Sequence, residues 1–184
     1  MRALAAFVRV VDALNRVIGQ STAWLILATV LICAAVALAR YLLGFGRIWL
    51  QELYVVCFGV AFMLVAAHAY ASDDHIRIEI LRQRWSARTR AVVEILGCAL
   101  LLIPWLLLLA WSSIPFVRLS WQVLEPSAQP GGLPGLYLVK TVIPVFAGLM
   151  LLQALAMIGR NLLFLAGRSD LLPPAAQVPP APVA

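Results

Sequence analysis

Four stretches of this chain contain no Asp, Glu, Lys or Arg: Val17–Ala39, Leu53–Ser72, Ile95–Val117 and Thr141–Gly159. By their end numbers they run from 19 to 23 residues. A helix needs about 20 apolar residues to cross the ~30 Å hydrocarbon core of a bilayer. No water reaches the backbone there, so only helices and closed barrels can span it. Barrel strands alternate polar and apolar residues, and these stretches do not. The reading is an all-α membrane protein with four transmembrane helices, at about 21–43, 50–72, 92–117 and 137–165. Composition agrees. The chain is 64% hydrophobic and 12% charged, too poor in polar residues to cover the surface of a soluble domain.

The segments flanking this 21–167 region differ from it. In 1–20, Leu4, Phe7, Val11, Leu14 and Ile18 recur at spacings of three and four, with Arg2, Arg9, Asp12 and Arg16 on the other face. That periodicity predicts an amphipathic helix. Its basic face suits the headgroup layer, so an N-terminal interfacial helix is expected over 1–20. The rival is a short helix packed on its own bundle. The Ala-x-Ala pattern in "AVALAR" resembles a peptidase site, but the long segment before it and Arg40 after it argue for retention. At the other end, 168–184 is rich in Pro and Ala and is expected to be extended and disordered.

Basic residues set the threading. With an inner amino terminus, Arg2, Arg9, Arg16, Arg77, Arg82, Arg84, Arg88, Arg90, Arg160 and Arg168 lie inside, which is ten of the 14. Arg40, Arg47, Arg118 and Lys140 lie outside. Lys and Arg concentrate on the cytoplasmic side. Both termini are therefore expected in the cytoplasm of a bacterial inner-membrane protein.

The span centres carry almost no chemistry. None has an ionisable residue at mid-depth, where transporters and membrane enzymes usually place one. His68 and His75 are seven residues apart and cannot face one iron from both sides. Cys33, Cys57 and Cys98 form no CxxC pattern. No cofactor, metal or catalytic residue is expected, and the net charge of +6 gathers around spans and does not suggest nucleic acid. Structural and partner-contact candidates remain. Gln153 needs a hydrogen-bond partner in lipid and has Ala147, Gly148, Ala154, Ala156 and Gly159 near it in sequence, which let helices approach. Trp49 stands at aromatic-belt depth. Arg40 and Glu52 sit at the two ends of one short hairpin and could pair, or could each snorkel to water.

The order of these features resembles a known family. Arg40-Tyr41 closes the first span, Trp49 to Leu53 opens the second, and His75 to Glu79 follows it. Together with four spans, this resembles the small membrane subunit (DctQ-like) of tripartite ATP-independent periplasmic (TRAP) transporters. Gln51-Glu52 stands where that family often has two acids, and Glu79 where Asp is common. The resemblance implies a non-catalytic small permease subunit. Its partners would be a large multi-span membrane subunit, a periplasmic substrate-binding protein and the lipid bilayer. It would scaffold the large subunit during ion-coupled uptake of an organic acid, with His75 and Arg77 holding spans and partner in register. The alternative is a self-sufficient small four-helix transporter or channel.

Overall fold

The computed structural model describes residues 1–72 and 85–172. Among these the chain forms four long helices: α1 (Arg2–Leu43), α2 (Ile48–Ala71), α3 (Ala87–Gln122) and α4 (Leu136–Leu165). All four are long and apolar enough to cross a membrane. The all-α, four-span reading is therefore correct, and the chain is a multi-pass membrane protein.

α1 has 42 residues, which is about 63 Å at the usual helical rise. That is roughly twice the hydrocarbon thickness. Residues 1–20 and the first span are one unbroken helix. The face buried in the amino half comprises Ala5, Val8, Val11, Asn15 and Gly19. It is rotated from the face that periodicity suggested. Leu4 and Ile18 are half-buried, while Phe7 and Leu14 stay exposed. Ala5, Val8 and Val11 pack on Ala156 and Leu163 of α4 and on Leu172. Leu172 follows a short 3₁₀ turn (Ser169–Leu171). Ordered packing thus runs a few residues past the expected tail boundary at 168; residues 173–184 lie outside the described chain.

α4 is the axis of the bundle. It packs on α1, α2 and α3. Its most apolar window is 44% buried within the chain, against 11% for the other three helices. Small side chains make the approach possible. Ala67, Leu106 and Met150 join α2, α3 and α4 in a second cluster. At Gly19 an added Cβ would lie 2.4 Å from the His68 ring, so α1 and α2 touch nearly backbone to side chain there.

The breaks follow local chemistry. α1 stops at Gly44, whose φ of 62° suits glycine, with Phe45 N–H donating back to Ala39 O at 3.2 Å. Ser86 caps α3 by accepting from Thr89 N–H at 3.2 Å. α3 widens to a π turn at Cys98–Leu102, just before Pro104. Proline lacks the N–H for the next helical bond and crowds the preceding turn, and a wider turn relieves both.

Candidate functional site

Two polar clasps hold the bundle, one near each end. The clasp at the end that carries the amino segment, named inner after the threading expected from the basic residues, as its counterpart is named outer, is built on α4. Gln153 and Arg160 are seven residues apart, two turns along one face. Gln153 is fully buried and uses both ends of its amide. Its Oε1 accepts from Asn15 Nδ2 at 2.6 Å, and its Nε2 donates to Asp12 Oδ1 at 3.0 Å. Arg160 Nη2 donates to both Asp12 oxygens at 3.0 Å. Its Nη1 lies 3.5 Å from the carbonyl of Ala71, the last residue of α2. A cation is favoured beside a helix carboxyl end. One arginine therefore ties α1, α2 and α4 together. The next residue, Asn161, donates from Nδ2 to Glu94 of α3 at 3.0 Å.

The outer clasp joins α2, the loop between α3 and α4, and the first turns of α4. Glu52 Oε1 accepts from the Ser127 hydroxyl, and Oε2 accepts from Leu133 N–H at 2.7 Å. The loop folds as a small hairpin, with a bridge between Pro126 and Pro134 and Ser127 N–H donating to Leu133 O at 2.9 Å. Gly132 sits so close that an added Cβ would come within 2.6 Å of both Glu52 and Ser127. Beneath the loop, a cavity of about 670 Å³ opens between α2 and α4, lined by Glu52, Tyr54, Val55, Leu133, Leu136 and Val139 among others. Beside it, Trp121 Nε1 donates to Thr141 Oγ1 at 2.8 Å and its ring meets Tyr137 edge-on. Lys140 lies 4.1 Å from the Phe116 ring centre and donates to Glu125. That hydrogen bond, aided by the lysine charge, holds the Glu125 carboxyl below its ordinary value of 4.5.

The sequence-derived candidates fall unevenly on these clasps. Gln153 lies at the heart of the inner one. Its partners Asp12, Asn15 and Arg160 were not singled out, although Asp12 is the only acid in residues 1–20 and Arg160 directly follows an apolar window. Glu52 centres the outer clasp, and of the two arrangements open to it and Arg40 the pairing is not formed. Glu52 faces α4 and the loop, and Arg40 is exposed at the end of α1, with no ion pair or side-chain hydrogen bond among the described residues. Trp49 is partly exposed in the first turn of α2. His75 and Arg77 lie outside the described residues.

The clasps are suited to holding helices in register. Among the described residues, no three His, Cys, Asp or Glu side chains gather in a group that could hold a metal ion.

Two outcomes follow from this geometry. Asp12 and Arg160 side chains are only 13% and 10% exposed. Removing one partner of a buried pair costs about 3–5 kcal/mol, whereas replacing both by apolar residues is often neutral. Asp12→Ala should therefore destabilise the detergent-solubilised protein by roughly 3 kcal/mol, and Asp12→Ala with Arg160→Met should recover most of it. Thermal unfolding of the two single variants and the double variant measures this. Strictly additive losses would mean the pair is not coupled. At the outer end, the depressed Glu125 carboxyl contributes stability that is complete above the ordinary value of 4.5 and is lost as pH falls through the lower folded value. Hydrogen exchange of the loop, corrected for intrinsic rates, should keep its protection from pH 7 to about 4.5 and lose it below. Glu125→Gln should weaken that dependence and leave the part that Glu52 contributes through Ser127 and Leu133.

The comparisons accord with this architecture. The sequence profile described as "Tripartite ATP-independent periplasmic transporters, DctQ component" matches residues 28–164. No curated protein and no solved structure matches the chain. The profile spans all four transmembrane helices, from within α1 to the last turn of α4, and the chain belongs to the DctQ family, the small permease subunits of TRAP transporters.

Proposed function

We propose that this subunit is a non-catalytic scaffold. It would support a large multi-span transport subunit in the bacterial inner membrane, with both termini cytoplasmic. A periplasmic binding protein would deliver an organic acid, and the large subunit would carry it inward by symport with a coupling ion. The observation that supports this reading best is the uneven burial of the spans. α1, α2 and α3 each bury only 11% of their most apolar window within the chain. A bundle so open sideways is suited to lie against other membrane helices. The inner clasp supports the same reading, because its polar groups bond mainly to one another.

The ten-to-four division of basic residues supports the orientation. The organic acid and the coupling ion come from the family resemblance.

Reconstitution tests the proposal. Liposomes holding this subunit alone, supplied with the cognate binding protein, should show no ion-driven uptake. Adding the large subunit should produce it. Ion-driven uptake by the small subunit alone would contradict the scaffold reading and favour a self-sufficient transporter.

A further inference from the structure

The amino half of α1 has three distinct faces. The first, with Ala5, Val8, Asp12, Asn15 and Gly19, is turned to the bundle. The second is an apolar stripe of Phe7, Val10, Leu14 and Val17, which are 36–67% exposed. The third is a row of exposed arginines, Arg2, Arg9 and Arg16, repeating every seven residues. At 3.6 residues per turn the arginine row lies roughly a third of a turn from the apolar stripe. The only acid in this half, Asp12, is turned inward to Arg160. The outward surface of this half is therefore apolar and purely basic.

The apolar stripe does not end where the span begins. It continues along the same heptad positions into Trp24, Leu31 and Leu38, which are strongly exposed on the spanning part of α1. The exposed apolar face of the spanning part thus runs on, without a break in the helix, into the arginine-flanked segment. α1 is too long to sit wholly within a bilayer at ordinary tilt. Its amino half must emerge through a headgroup layer, where an apolar stripe flanked by arginines matches acyl chains below and phosphates above.

We propose that this outward face of α1 is a docking surface for acidic phospholipids. Val10, Leu14 and Val17 enter the acyl boundary, and Arg2, Arg9 and Arg16 hold phosphate groups while the opposite face stays clasped to α4. Arginine suits this role because its guanidinium stays charged at any working pH and is drawn to the negative headgroup layer. The proposal differs from a detached helix lying flat on the membrane. Here the segment remains part of the bundle, so lipid charge acts directly on the tilt of the first span.

The test uses full-length protein with Cys33, Cys57 and Cys98 replaced by Ala and a single spin label introduced by Val10→Cys. It is reconstituted in phosphatidylcholine vesicles with or without phosphatidylglycerol. Relative accessibility to oxygen and to a water-soluble nickel chelate reports the depth of the label. Acidic lipid should move the label into the apolar layer. Replacing Arg2, Arg9 and Arg16 by Gln should reverse the buried-to-exposed ratio by at least about tenfold, and Lys at the same three positions should largely keep it. All three arginines are exposed, and circular dichroism would confirm that the variants remain folded. A label that stays water-accessible in acidic vesicles, or that is equally buried without acidic lipid, overturns the proposal. Shielding that appears only when the large subunit is added assigns the face to a protein partner and also overturns it.

Discussion

A carboxylate and a guanidinium that leave water must satisfy each other or strongly destabilise the fold. Asp12 and Arg160 are in this position, and much of the molecule is arranged around them. Arg160 and Gln153 reach Asp12 from one face of α4. They can do so in only one antiparallel register of α1 on α4. A slide of one turn would leave the arginine unpaired among apolar side chains. That register places Ala5, Val8 and Val11 against Ala156 and Leu163. It also carries the end of α2 to Arg160 through the Ala71 carbonyl. Within a membrane there is little hydrophobic drive between helices, so polar contacts of this kind can specify an arrangement that apolar packing alone would leave loose.

The outer end solves a similar problem with neutral donors. Glu52 receives a hydroxyl and a backbone N–H from the loop, and so converts a proline- and glycine-rich connection into a fixed cover over α2 and α4. Lys140, Glu125, Trp121 and Thr141 secure the loop's other side. Between the clasps the bundle is apolar and opens sideways, with α4 the most covered of the four helices among the described residues. Uncovered flanks of this kind are consistent with the proposed place beside a larger membrane subunit.

The spans were legible because lipid imposes a severe rule: charges are excluded for about 20 residues at a time, and the windows of charge-free sequence map directly onto helices. Gln153 was legible for a related reason, since an amide in lipid must find a partner. Which partner it finds was not. Asp12 looks like one more polar residue of an amphipathic face, and only the packing of α1 on α4 turns it inward. The same limit explains Glu52. Closeness to Arg40 along a hairpin says nothing of side-chain direction, and Glu52 points towards a loop some 75 residues further on. The amino segment shows the limit of periodicity itself. Residues 1–20 carry apolar side chains on more than one face, so the pattern suggests a helix without saying which face the bundle takes.

The central claim is that the amino half of α1 belongs to the bundle and is clasped to α4 in one register. Disulfide trapping tests it most directly. In a variant without native cysteines, in lipid vesicles, Val8→Cys and Gly159→Cys should oxidise rapidly to a disulfide, because the Val8 side chain lies 3.2 Å from a Cβ built at Gly159. Leu14→Cys paired with Gly159→Cys should not cross-link, because Leu14 is exposed on the outward side. Failure of the first pair, or equal trapping of both, would show that this segment leaves the bundle, and would contradict the account.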